Sequence, residues 1–133
     1  MLRTSLWIAV LVLFAVLPSA QAVQIQSLYC YVYSEESGRE DTYDVEPGVH
    51  IPVSAGETVE ISLYGVTGAD DIRLPATFVL AAGQGHLQVV DESEDSITVY
   101  VKGGGNAQLA YEIDGDYGMR GGLREGRLTF EIE

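Results

Sequence analysis

The chain of 133 residues carries 20 acidic and 7 basic side chains, a formal net charge of −13, and 47% of its residues are hydrophobic. A surface so negative repels nucleic acid and anionic lipid, which excludes functions that need a basic face. Its one cysteine, Cys30, excludes an intrachain disulfide framework and reads as a buried thiol, with an intermolecular disulfide as the alternative.

The N-terminus, MLRTSLWIAVLVLFAVLPSAQA, has the three parts of a secretory signal peptide. Arg3 charges a short head, Leu6 to Leu17 is continuously apolar, and Pro18 breaks the run before Ala20-Gln21-Ala22 offers a small–x–small cleavage pattern. The apolar run falls short of the about 20 helical residues that a membrane span needs. The sequence therefore predicts a cleaved signal peptide over 1–22 and one β-domain over 23–133. It also predicts a secreted or periplasmic location, with no membrane span in the mature chain. An uncleaved N-terminal anchor is the alternative.

The mature chain opens on a predicted strand over 23–34. Val23 and Ile25 are apolar there, but after Ser27 the apolar set moves to Leu28, Cys30 and Val32, while Tyr29, Tyr31 and Tyr33 take the other face. Alternate residues of a strand point to opposite faces. An extra residue near Ser27, as a β-bulge or a bend between sheets, is needed to hand the core from odd to even positions. The polar run SEESGRED, 34–41, reads as an exposed loop. Strands follow at 48–53, at Val59-Ile61-Leu63, at 76–82 and at 86–91. Three more have clean alternation: Ile97-Val99-Val101, Leu109-Tyr111-Ile113 and Leu128-Phe130-Ile132. The run Gly115 to Gly126 reads as a second exposed loop.

Turn clusters such as Glu46-Pro47-Gly48, Gly83-Gln84-Gly85 and Asp114-Gly115-Asp116 separate these segments. About seven or eight short strands at this spacing predict an all-β fold, an antiparallel β-sandwich. The expected core is Leu28, Cys30, Val32, Val59, Ile61, Leu63, Ile97, Val99, Leu109, Tyr111, Leu128, Phe130 and Ile132.

The segment VHIPVSAGETVEISLYG, a strand, a small–Gly–polar turn and an alternating strand, resembles the early strands of bacterial immunoglobulin-like modules. That resemblance implies an immunoglobulin-like sandwich and no particular function. Immunoglobulin-like inhibitors of cysteine proteases share the length and strand rhythm. Gly103-Gly104-Gly105 is similar to their Gly-rich loop, but nothing here matches their Asn-Pro-Thr-Thr-Gly or Arg-Pro-aromatic loops.

Catalysis has little support in the sequence. His50 and His86 lie in no nucleophile-elbow, metalloprotease or zinc pattern and read as surface or edge histidines, so no enzyme is expected. Calcium is the one candidate cofactor, since hard cations want several oxygens together. Asp91, Asp95, Asp114 and Asp116 are its candidate ligands, within the runs DESED and DGD. These acids also form ordinary turns.

Two surfaces are candidates for partner binding. Arg120, Arg124 and Arg127 cluster in MRGGLREGR; they either neutralise acidic neighbours or engage a carboxylate-rich partner, which could be a second copy of the chain. Tyr29, Tyr31 and Tyr33 form either a cross-strand aromatic cluster or a recognition face for protein or glycan. The mature chain would hold no Trp, which disfavours a sugar-stacking platform. The leading expectation is an interaction module for a protein or cell-envelope partner. A calcium- or carbohydrate-binding module is the rival, and a protease inhibitor the remote one.

Overall fold

The computed structural model describes residues 23–119 and 122–133. The expected signal peptide over 1–22, and Arg120, lie outside the described residues. The rest is all-β: β1 (Val23–Ile25), β2 (Ser27–Ser34), β3 (Glu40–Asp44), β4 (His50–Val53), β5 (Thr58–Val66), β6 (Asp71–Leu74), β7 (Ala76–Ala82), β8 (Leu87–Glu92), β9 (Ser96–Val101), β10 (Gly105–Ile113), β11 (Tyr117–Met119) and β12 (Glu125–Ile132). Val, Ile, Thr and Tyr dominate β5 and β9, residue types that fit a pleated, half-buried surface.

One sheet has the order β4-β12-β10-β7 and the other β3-β2-β5-β9-β8. Pairing within both is antiparallel, except that β4 runs parallel to β12 with His50 opposite Thr129 and Val53 opposite Ile132. Strand β5 changes partner along its length. Thr58 to Ser62 pair with β9, and Leu63 to Val66 pair with β6. Both sheets turn one face to a single apolar cluster. Val59, Ile61, Leu63 and Val99 come from one side and Ile51, Leu109, Leu128 and Phe130 from the other, all at 0% exposure. Burying each such side chain contributes about 1.5–3 kcal/mol.

Every residue of the expected core is buried. Ile25, Ile51, Val53, Leu74, Ala76, Phe78, Leu87, Val101, Ala107 and Ile113 join it. The hand-over of the core between odd and even positions occurs at Gln26. This residue separates β1 from β2 and donates its backbone N–H to Val66 O at 2.8 Å. Before it, β1 pairs in parallel with β11; after it, β2 pairs with β3 and β5. The shift is therefore a change of pairing partner. Ile25 lands in the core beside Gly65, where an added Cβ would lie 2.8 Å from Ile25 Cδ1. Glycine at 65 is what lets β1 tuck in.

The two expected loops are partly strand. Only 35–37 form the turn after β2, and Glu40–Asp44 then pairs antiparallel with it. Tyr117–Met119 pairs with β1, and Glu125 already belongs to β12. Strand β6 was also unexpected. β3 and β11 have little apolar alternation and are defined by backbone pairing, whereas β6 alternates Ile72 and Leu74 with Asp71 and Arg73 over only four residues.

Phe130, wholly buried, should cost about 3–5 kcal/mol when cut to Ala. A chemical denaturation curve with unchanged midpoint would contradict its place in the core. Burial pushes the Cys30 thiol up to about 12 from 9.0. Above pH 9.0 the unfolded chain loses a proton that the native chain keeps, so this group drains stability as pH rises towards about 12. Native Cys30 should therefore react with a thiol reagent at pH 8 only as fast as the protein opens. Labelling at the rate of the denatured chain would contradict its burial.

Candidate functional site

The odd residues of β2 are forced outward once Leu28, Cys30 and Val32 face the core. Register then decides their neighbours. Tyr29 lies directly opposite Tyr64 of β5 and Asp44 of β3, Tyr31 opposite Ser62 and Thr42, and Tyr33 opposite Glu60 and Glu40. Residues directly opposite in an antiparallel pair share a face. The outer face of the larger sheet thus gathers four tyrosines, with carboxylates on both flanks.

The rings pack on one another. Tyr29 and Tyr64 stack with centroids 5.3 Å apart and planes 8° apart. Tyr31 meets Tyr64 edge-on at 6.0 Å and 66°. Such pairs contribute about 0.5–1.5 kcal/mol beyond area burial. Tyr29 donates its hydroxyl to Asp71 Oδ2 at 3.0 Å. All four rings remain half-buried, so each keeps some surface in water. Beneath them Ser62 is 0% exposed, and its Oγ has no hydrogen-bond partner among the described residues.

The electrostatics of the face are acidic. A hydrogen bond to Glu40, foremost, with burial and the neighbouring Tyr64 and Tyr33, raises the Tyr31 phenol to about 12. Burial and then Asp71 raise Tyr29. Both phenols stay neutral hydrogen-bond donors at any ordinary pH. Arg73, opposite Tyr64, is engaged by Glu60 at 3.4 Å and Asp95 at 3.1 Å.

Of the three candidate arginines, Arg124 and Arg127 are described, and each is engaged within the fold. Arg124 Nη1 donates to the Ile113 and Gly115 carbonyls at 3.1 and 3.0 Å, and its Nη2 to the Tyr117 carbonyl at 2.8 Å. It pins the turn between β10 and β11 and is not neutralised by acidic side chains. Arg127 donates to Gln108 Oε1 at 2.9 Å on the outer face of the smaller sheet. The two do not form a common basic surface with the tyrosines.

The candidate calcium ligands are dispersed. Asp95 holds Arg73 and accepts from Ser93 Oγ at 3.1 Å. Asp91 accepts from the Glu92 backbone at 2.9 Å, and Asp114 from Thr77 Oγ1 at 2.9 Å. Asp116 is exposed. A cleft of about 360 Å³ between the sheets brings Asp114 together with Glu92 and Glu94 above Phe78 and Ile97, but does not include Asp91, Asp95 or Asp116. Among the described residues no group of three or more His, Cys, Asp or Glu is placed to hold a metal ion. His50 is exposed beside Glu131 at 3.0 Å, on the edge strand β4.

Sequence reasoning missed Tyr64, Glu40, Asp71 and Ser62 as members of the tyrosine face. The outward position of Tyr64 was legible in the alternation of β5. Its pairing with Tyr29 was not, because register depends on which strands meet.

Comparison with family models, curated proteins and solved structures finds no match for this chain.

Loss of Arg124 should loosen the fold. Arg124→Gln removes charge-assisted bonds to three carbonyls and should cost about 1.5–3 kcal/mol. Arg124→Lys should recover little, because a point-like ammonium cannot span the three oxygens as a planar fork does. Equal stability of wild type and Arg124→Gln in thermal unfolding would show the pin to be dispensable.

Proposed function

We propose that this protein is a secreted or cell-envelope interaction module of immunoglobulin-like type, which acts by binding and has no catalytic activity of its own. The single observation that carries the reading is the assembly of Tyr29, Tyr31, Tyr33 and Tyr64 on one outer sheet face, half-exposed and flanked by acids. Tyrosines are enriched where proteins recognise partners, since each offers rigid apolar area with a polar tip.

The strand order supports the immunoglobulin-like assignment. Constant-type immunoglobulin domains place strands A, B, E and D in one sheet and C, F and G in the other. Here β2, β5, β9 and β8 follow the first order, and β7, β10 and β12 the second, with β4 added beside β12. β3, β6, β1 and β11 are additions to that frame. The expected signal peptide supports export.

A calcium- or carbohydrate-binding module remains the rival reading, with the interstrand cleft at Glu92, Glu94 and Asp114 as its better location. The inhibitor reading rests only on Gly103–Gly105, which leads from the β9–β10 turn into β10.

The test is recovery of a partner from the native extracellular fraction, using wild type, Tyr29/Tyr31/Tyr33→Ser and Arg127→Gln, each first shown to be folded. The tyrosine variant should lose the partner and the arginine variant should keep it. Retention by the tyrosine variant would move recognition to another surface.

A further inference from the structure

We propose that the tyrosine face receives a cationic segment of a protein partner, with Arg or Lys side chains laid across the rings and their N–H groups on the flanking carboxylates. This rests on the reading above and adds the chemistry of the occupant.

Charge complementarity argues for it. Glu40 and Asp44 of β3 flank the tyrosines on one side, and Glu60 and Asp71 on the other. Arg73, opposite Tyr64, is already held by Glu60 and Asp95. Among the described residues no cation pairs with Glu40 or Asp44, so the unbalanced charge beside the rings is carboxylate. A neutral partner would have to desolvate them without return, whereas guanidinium or ammonium groups make charge-assisted bonds to them. The rings supply what such a side chain needs besides a counter-charge, apolar area for its methylene stem. Tyr33 stands outside the Tyr29–Tyr64–Tyr31 stack and lies directly opposite Glu40, which places a ring and a carboxylate side by side.

Ser62 gives a second, separate indication. Its hydroxyl points to this face, directly opposite Tyr31, and is wholly buried without a partner. Buried polar atoms are normally paired. The Ser62 oxygen under the ring layer is an acceptor that no described residue uses, and it lies on the face where an N–H donor would arrive.

A second copy of the chain fits poorly, because it would bring acid against acid at a net charge of −13 each. Of its arginines, Arg124 is committed to its own loop. Sugars fit poorly too, since the Tyr29–Tyr64 stack spends one face of each ring on the other.

The experiment is NMR titration of the full domain with a short peptide alternating Arg and Gly, and with the same peptide carrying citrulline, a neutral isostere, in place of Arg. The Arg peptide should bind and shift the resonances of β2, β3 and β5. The citrulline peptide should bind at least about tenfold more weakly, the value of one charge-assisted bond. Glu40→Gln/Asp44→Asn should weaken the Arg peptide by about tenfold or more. Glu112→Gln/Glu125→Gln, which removes the same charge from the opposite sheet, should leave it unchanged.

Equal weakening by both pairs would mean diffuse attraction to an acidic protein and would overturn the proposal, as would equal binding of the citrulline peptide. If the Arg peptide fails to bind while the tyrosine triple variant still loses its native partner, the face recognises something other than a cation. The cationic proposal then falls and the interaction-module reading stands. If the tyrosine variant keeps that partner, the interaction reading at this face falls with it.

Discussion

The structure depends on the two-sidedness of β5. Its odd residues Val59, Ile61 and Leu63 are sealed in the core, and its even residues Glu60, Ser62 and Tyr64 form the floor of the outer face. It pairs with β2 on one side and with both β9 and β6 on the other, so it sets the register of its sheet. Because side chains alternate strictly, a slip of one residue in β5 would bury Glu60 and expose Ile61. The apolar cluster forbids that, and in doing so it holds Tyr64 against Tyr29. Core packing thus positions a surface that is not itself in the core.

The scarcity of positive charge shapes the rest. Few cations are present, and those described are largely engaged within the fold. Arg39 holds Asp41 at 2.9 Å and Glu57 at 3.6 Å, Arg73 links Glu60 of β5 to Asp95 of the β8–β9 turn, and Arg124 closes a turn. Exposed ion pairs of this kind add at most about 1 kcal/mol each. Their larger consequence is what they leave behind, an outer surface whose remaining charge is carboxylate. On the tyrosine face that residue of charge meets aromatic area. A surface of this composition offers specificity through geometry and speed of encounter through its field.

Edges are handled by composition and shape. Strand β3 is acidic at Glu40, Asp41 and Asp44, β4 carries Pro52, and β8 has a register shift between Val89 and Asp91 and then two acids. Charge, proline and irregularity all discourage pairing with foreign strands. These devices guard the sheet edges of β3, β4 and β8, while the broad outer face carries the half-exposed aromatic area.

By itself the sequence determined the class of fold and the inward residues of the principal strands. Alternation over two residues is a local property, and Val59-Ile61-Leu63 or Leu128-Phe130-Ile132 can be read without knowing any neighbour. The need for a shift near Ser27 was legible for the same reason, from the apolar set changing parity between Ile25 and Leu28. The tyrosines of β2 were legible as an outward row. What they stand beside was decided only by tertiary structure. That Tyr29 meets Tyr64, that Glu40 lies beside Tyr33, that Asp71 accepts from Tyr29 and that Ser62 is left unpartnered all follow from pairing between strands distant in sequence. The roles of the arginines were equally hidden, because Arg124 binds backbone carbonyls, which every residue possesses and no sequence pattern marks. Short edge strands such as β3 and β11 were invisible to periodicity because partners, and not their own side chains, make them strands, and β6 is too short for its Ile72–Leu74 alternation to stand out.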